Sequence, residues 1–105
     1  MIRAQIEKFY QSDRWKRKRE QVLRRDGYQC QEAKRYGKRV QAEVVHHALP
    51  LEDFPEYRLC MWNLVSLSRS AHNEMHDRDT NTLTEKGKWL ARKVALQNGI
   101  EIEKL

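Results

Sequence analysis

Three stretches of the sequence decide the fold: VVHHALP at residues 44–50, NLVSL at residues 63–67 and RSAHNEMH at residues 69–76. The first belongs to a β-branched run that predicts a strand over residues 40–45, leading directly into two histidines. Residues 64–68, which overlap the second stretch and read LVSLS, alternate apolar and polar side chains and predict a second short strand. In the third, helical periodicity continues to about residue 79. The predicted centre of the chain is therefore strand, loop, strand and helix.

Outside this centre the sequence predicts two further helices. Ser12 is a typical N-cap and Gly27 a typical C-terminal stop, so residues 12–27 predict an amphipathic helix with a strongly basic outer face. Such a face is either a solvated surface or a surface that lies along phosphates. Thr84 begins a last helix at residues 84–98. Its apolar positions, expected to face a core, are Trp89, Leu90, Val94 and Leu96.

The chain has no repeat and no obvious linker, so we expect one domain over residues 1–105, with its core motif at residues 40–80. Residues 1–10 carry apolar side chains at helical spacing and predict a short helix or an ordered arm. Residues 28–39 hold a glycine among basic residues and predict a turn-rich loop.

Composition limits the classes of function. The 105 residues include 39% apolar and 34% charged side chains, with 21 Lys and Arg against 15 Asp and Glu and a net charge of +6. This excess favours a polyanionic partner or serves solubility alone. No stretch is apolar enough to span a membrane, and the first residues lack the apolar run of a signal peptide, so we expect a cytoplasmic protein. In that compartment Cys30 and Cys60 are expected to be free thiols, and a disulfide is the less favoured alternative.

All four histidines fall in two close groups. His46 and His47 are neighbours at a strand end, where successive side chains point to opposite sides. His72 and His76 stand four apart on the predicted helix and would share one face. One strand histidine could then complete a three-nitrogen metal site, while the other remains a free imidazole that can act as a general base. Taken singly, each group is more often structural than metal-binding, but their joint presence favours the site.

The three stretches resemble the HNH endonucleases, with VVHHALP, NLVSL and RSAHNEMH in the expected order and spacing. The upstream SDRWKRKREQVLRRDGYQCQ is similar to the leader of small phage-type members. The resemblance covers about residues 9–80. It implies an α+β fold with the ββα-metal motif, in which a short antiparallel β-hairpin is flanked by helices and the metal lies between them.

The resemblance also implies a role for each matching residue. His47 would be the general base that deprotonates the attacking water. His46 and His72 would be metal ligands, and His76 matches a third ligand of the bacteriocin DNases in this family. Asn63, counted with His47 among the catalytic residues, would fix the loop that carries His47.

The sequence departs from one family pattern. Many small members carry two C-x-x-C pairs that bind a structural zinc, whereas this chain reads Cys30-Gln31-Glu32-Ala33 and Ser68-Arg69-Ser70-Ala71. Three of four thiolates are missing, so we predict no structural zinc ribbon. Tryptophan packing or a dimer could offset the lost stability. We expect one divalent ion (Mg, Mn, Ni or Zn) at the histidines, with imidazole favouring zinc, nickel or manganese over magnesium.

Together these features predict a metal-dependent endonuclease that hydrolyses DNA phosphodiester bonds by nicking or double-strand cleavage. The expected partner is DNA, and a second copy of the chain and a phage packaging terminase are further candidates. Two alternatives remain open: a non-catalytic DNA-binding or phage-assembly protein that keeps the fold, and a structural zinc module. The candidate phosphate contacts, which could also be a solvated face, are Arg14, Lys16, Arg17, Arg69 and Arg78.

Overall fold

The computed structural model describes residues 1–103, which contain five α-helices and one two-stranded antiparallel sheet. The elements are α1 (Arg3–Gln11), α2 (Asp13–Arg25), α3 (Gln31–Arg35), β1 (Val44–His47), β2 (Leu64–Leu67), α4 (Arg69–Asn73) and α5 (Glu85–Gln97), with 3₁₀ turns at Pro55–Tyr57 and Met61–Asn63. The predicted α+β class, with a short hairpin flanked by helices, is confirmed. None of the described helices combines the length and apolar character needed to span a membrane.

The two faces of the hairpin pack against different parts of the molecule. In the β1–β2 pairing, His46 lies opposite Val65 and His47 lies opposite Leu64. Cross-strand partners share a face of the sheet, and successive residues of a strand alternate between faces. His46 and His47 therefore point to opposite sides of the hairpin.

Helix α2 covers the face that carries His47. Its N-terminus is capped as predicted, because the Ser12 hydroxyl accepts a hydrogen bond from the Trp15 amide. At its other end Gly27 has a φ of +63°, and the Tyr28 amide bonds back to the Leu23 carbonyl, which closes the helix in a Schellman motif. The buried cluster between α2 and the hairpin consists of Trp15, Val22, Leu23, Ala42, Val45 and Leu64.

A charged pair fixes the end of α2 to β2. Arg25 donates to both carboxylate oxygens of Asp26 and also to the backbone carbonyls of Met61 and Leu64. The Asp26 carboxylate in turn accepts from the Ser66 amide. Burial alone would raise the pKa of Asp26, but the hydrogen bonds from Arg25 and Ser66 outweigh it and lower that pKa. The pair therefore stays charged at neutral pH and holds α2 in register with the hairpin.

Helix α4 covers the opposite face, which carries His46. The Ser68 hydroxyl caps this helix by accepting from the Ala71 amide. The buried cluster on this side consists of Cys30, Leu67, Ala71 and Met75, with Ala33 packed against it. Cys30, Ala33, Ser68 and Ala71 are the positions compared above with zinc-binding cysteines. Of these four, Cys30, Ala33 and Ala71 pack in this apolar cluster, and the absence of a zinc ribbon stays a prediction.

Two predicted boundaries around β1 are wrong. The strand begins at Val44 rather than Val40, because the preceding backbone pairs elsewhere: the Val40 carbonyl accepts from the Cys30 amide, and the Ala42 amide donates to Tyr28. The predicted loop at residues 28–39 contains the short helix α3.

The predicted helix at residues 69–79 ends at Asn73, so His76 does not lie on it. Beyond Asn73, backbone hydrogen bonds to residues 82–84, which immediately precede α5, replace the helical hydrogen bonds. The Met75 carbonyl accepts from the Thr84 amide, and the Asp77 amide donates to the Thr82 carbonyl. His76 itself forms an isolated antiparallel bridge with Leu83.

Helix α5 begins and ends as predicted, with the Thr84 hydroxyl accepting from the Gly87 amide. Its buried face differs from the prediction. Trp89 is 44% exposed and Leu96 is 82% exposed, so neither belongs to the core. The residues that α5 buries are Gly87, Ala91, Val94 and Ala95. Small side chains on this face allow the helix to approach the rest of the chain closely.

Replacement of Gly87 by alanine is expected to destabilise the protein. A Cβ at this position would overlap the Met75 carbonyl oxygen and lie 2.9 Å from the Leu83 side chain. Alanine normally improves a helix by about 1 kcal/mol, but overpacking against backbone costs about 1–3 kcal/mol. Because the added Cβ meets a backbone atom, which cannot move aside as a side chain can, the upper end of this cost applies. After the helix gain is subtracted, we expect Gly87→Ala to lower the free energy of unfolding in urea by about 2 kcal/mol.

Gly37→Ala is the matched control, because Gly37 has a φ of +74° and no atom of residues 1–103 lies within 4 Å of an added Cβ. Its cost is the left-handed backbone alone, about 1 kcal/mol. If Gly87→Ala were as stable as the wild type, the close packing of α5 on Met75 would be disproved.

Candidate active site

Three histidines form a compact cluster on one side of the hairpin. His46 comes from β1, His72 from α4 and His76 from the bridge that follows α4. The ring centroids are 5.2 Å apart for His46 and His72, 5.3 Å for His46 and His76, and 5.4 Å for His72 and His76. One ring nitrogen of each lies within 4.8 Å of the others. The structure thus brings together the three predicted ligands, although only His72 lies on a helix.

The His46 ring shows why this cluster suits a metal ion. His46 is 1% exposed, and its Nε2 atom has no hydrogen-bond partner within residues 1–103. A buried polar nitrogen without a partner is costly, and native proteins rarely leave one unsatisfied. A divalent cation shared with His72 and His76 would satisfy it. Three nitrogen donors suit borderline transition metals.

The electrostatic surroundings keep these imidazoles neutral. Burial, with the nearby histidines as a smaller cause, holds the pKa of His46 well below its ordinary value of 6.5. Burial also lowers the pKa of His72 and of His76. At pH 7 one nitrogen of each ring is therefore unprotonated, which is the form that binds a metal.

His47 lies on the other side of the hairpin in an aromatic pocket. Its ring stacks on Trp15, with centroids 5.0 Å apart and planes 23° apart, and only 6% of the residue is exposed. The Nε2 atom is 3.0 Å from the Arg58 carbonyl oxygen, which can only accept a hydrogen bond. Nε2 therefore carries the proton, and Nδ1 carries the lone pair. Burial lowers the pKa of His47, and the bond to Arg58 partly opposes this shift.

Asn63 ties together the two ends of the loop that follows β1. Its side-chain oxygen accepts from the Leu49 amide at 2.7 Å, and its nitrogen donates to the carbonyls of Leu49 and Tyr57. The Asn63 backbone carbonyl accepts from the Ala48 amide, next to His47. These bonds fix the backbone on both sides of the loop, including the stretch that leads to the Arg58 carbonyl.

A cleft of about 950 Å³ connects the two sides of the hairpin end. Of the predicted phosphate contacts, Arg78 lines it with the histidines. Arg69, the first residue of α4, pairs with Glu43 at 3.5 Å in an exposed position. The remaining three, Arg14, Lys16 and Arg17, are exposed on α2. The side chains of the predicted site that line the cleft are His46, His47, His72 and His76.

Two features of the site were missed by sequence reasoning. The Arg58 carbonyl sets the proton position on His47. Every residue has a backbone carbonyl, so the sequence does not show which one contacts the imidazole. Tyr10 of α1 also lines the cleft, and its hydroxyl lies 3.4 Å from His47 Nδ1. Burial raises the pKa of Tyr10, so the hydroxyl keeps its proton at neutral pH. The apolar pattern of residues 1–10 includes Tyr10 and predicts that its ring packs against other side chains. It does not predict the contact with His47.

The chain is similar to one solved structure in particular, the crystal structure of the HNH endonuclease of the deep-sea thermophilic bacteriophage GVE2 with manganese ion. The two are 40% identical over 67% of this chain and 76% of that chain, with a TM-score of 0.65. No protein-family model matches the chain, and no curated protein matches it. Identity and coverage at this level, together with the confirmed hairpin and helices, show that the chain belongs to the HNH endonuclease family.

Proposed function

We propose that this chain is a divalent-metal-dependent endonuclease that hydrolyses phosphodiester bonds in DNA. The observation that carries the proposal is the separation of one buried imidazole, His47, from a cluster of three others within the same cleft. Such a division provides a metal site and a general base side by side. The phage relative, an endonuclease with manganese, supports the same chemistry.

In this proposal His47 is the general base. The Arg58 carbonyl holds the proton on Nε2, so Nδ1 takes one proton from the attacking water. The water oxygen forms a bond to phosphorus, the bond from phosphorus to the 3′ oxygen breaks, and that oxygen takes a proton from solvent. The products are a 5′-phosphate and a 3′-hydroxyl. The stacked Trp15 ring fixes the plane of the imidazole during this step.

His46, His72 and His76 would hold the metal ion. When bound, the ion supplies positive charge that stabilises the negative charge developing on the phosphate and the leaving oxygen. Three neutral ligands leave the full charge of the ion for this purpose. Zinc, nickel and manganese fit the nitrogen donors better than magnesium does, and manganese is the ion of the phage relative.

Other parts of the chain have supporting roles in the proposal. Asn63 holds the loop between His47 and Arg58 in place through its three side-chain hydrogen bonds. Arg78 in the cleft and the basic face of α2 would contact phosphates. The phage relative agrees with a phage or prophage setting. A terminase partner, a homodimer and the single-domain organisation stay predictions.

Replacement of His47 by alanine is expected to stop cleavage without affecting the metal. A positioned general base contributes about 10²–10⁴-fold to the rate, so plasmid nicking with Mn²⁺, Mg²⁺ or Ni²⁺ should slow by at least about 100-fold. His47 contacts none of the proposed ligands through its own nitrogens, so metal binding should persist. Equal cutting by wild type and His47→Ala with every metal would reject the enzyme and favour the non-catalytic alternative.

Metal binding is expected to stabilise the fold through the histidine cluster. At an Mn²⁺ or Ni²⁺ concentration 100 times the dissociation constant, linkage gives about 2.7 kcal/mol, measured as a rise in the thermal midpoint. His76→Gln should reduce this rise strongly, while His47→Ala should keep it. A rise that His76→Gln leaves intact would place the metal elsewhere.

The metal-induced rise should also depend on pH, because protons compete with the metal for the same nitrogens. The lowered pKa values of His46, His72 and His76 leave these nitrogens unprotonated at pH 7.5, where the rise should be full. The loss should set in below the ordinary histidine value of 6.5. A rise that was already lost at pH 7.5 would contradict the neutral cluster.

A further inference from the structure

Tyr10 and Arg58 contact the two nitrogens of the His47 ring from opposite sides. The Arg58 carbonyl lies 3.0 Å from Nε2, and the Tyr10 hydroxyl lies 3.4 Å from Nδ1. Because Nε2 holds the proton, Nδ1 can only accept, and the Tyr10 hydroxyl is the donor. Both contacts therefore favour the same tautomer, with the lone pair on Nδ1, the nitrogen beside the cleft-lining Tyr10.

The aromatic side chains of α1, the helix that contains Tyr10, make their ring contacts around His47. Helix α1 has no buried residue of its own. Phe9 lies 5.4 Å from Trp15 and 6.1 Å from His47 between ring centroids. The Tyr10 ring lies 5.5 Å from Trp15 and 6.0 Å from His47, edge to face in both cases. Together the two rings of α1 and the Trp15 ring enclose the imidazole, and of these three side chains Tyr10 is the one whose polar group lies within hydrogen-bond distance of His47.

We propose that Tyr10 is a positioning residue for His47: its hydroxyl holds the imidazole with an unprotonated Nδ1 facing the cleft. This inference rests on the proposed function, since it assigns a partner to the proposed general base. At 3.4 Å the bond is weaker than one at ordinary O–H···N distance, so the hydroxyl can give way when water approaches Nδ1. A strong bond at the same place would instead compete with the water.

The alternative is that Tyr10 matters only as an apolar wall. The ring packs on Trp15 and His47 whether or not it bears a hydroxyl. Tyr10→Phe separates the two roles, because it keeps the ring and removes the donor. Tyr36→Phe is the matched control, since Tyr36 is 67% exposed and does not line the cleft.

The test measures steady-state cleavage of a DNA duplex with Mn²⁺ by the wild type and both variants. We expect Tyr10→Phe to lower kcat by about five- to tenfold, the effect of one hydrogen bond, with KM unchanged. Tyr36→Phe should match the wild type in both. A Tyr10→Phe enzyme with the wild-type kcat would overturn the proposal, and a raised KM with unchanged kcat would place the hydroxyl on DNA instead.

A second measurement does not depend on cleavage. At pH 8, where an ordinary histidine is neutral, the ¹⁵N chemical shifts of the His47 ring report which nitrogen carries the proton. The wild type should show Nε2 protonated, and Tyr10→Phe, which keeps the Arg58 contact, should show a larger minor population of the tautomer with the proton on Nδ1. An unchanged tautomer in Tyr10→Phe would overturn the positioning role even if kcat fell. Failure of the wild type to cut DNA would reject the proposed function, and the shifts would still decide whether Tyr10 holds Nδ1.

Discussion

The alternation of side chains along a β-strand is the constraint on which this structure depends. His46 and His47 are adjacent in the chain, yet the pairing of β1 with β2 directs them to opposite faces of the hairpin. One imidazole joins a nitrogen cluster, and the other enters an aromatic pocket. A shift of the register by one residue would exchange their positions, so the pairing of the two strands sets the chemistry of the site.

Each face of the hairpin is covered by its own helix, and the covers are built differently. Helix α2 brings Trp15 onto His47 and is fixed to β2 by the Arg25–Asp26 pair. Helix α4 brings His72 toward His46, but the third nitrogen depends on α5. Because α5 approaches the Met75 backbone closely at Gly87, it holds the segment that presents His76. The cluster therefore depends on packing that is distant in sequence.

The separation along the sequence between contacting residues decides how much of the site could be predicted from the sequence. The Ser12 and Thr84 caps, β2 and the grouping of the histidines depend on local patterns, and the structure has them. The helical spacing of His72 and His76 was a wrong reason for placing them together. The helix ends at Asn73, and His76 reaches the cluster through backbone pairing with residues near 83. No local sequence pattern predicts that pairing.

The same limit applies to the surroundings of His47. A general base at this position was expected, but its tautomer depends on the Arg58 carbonyl and the Tyr10 hydroxyl, which lie 11 residues after it and 37 residues before it. These contacts arise only when the loop fixed by Asn63 and the helix α1 meet at the strand end. The Nε2 atom of His46, which has no hydrogen-bond partner in the described part of the chain, is likewise visible only in three dimensions.

Diffraction from crystals grown with Mn²⁺, recorded at the manganese absorption edge, tests the central claim most directly. The account predicts an anomalous peak within bonding distance of nitrogens of His46, His72 and His76, with His47 unbound and its Nδ1 facing the cleft. A manganese ion bound to His47, or one held away from the three-histidine cluster, would contradict the division of the histidines on which the proposed mechanism depends.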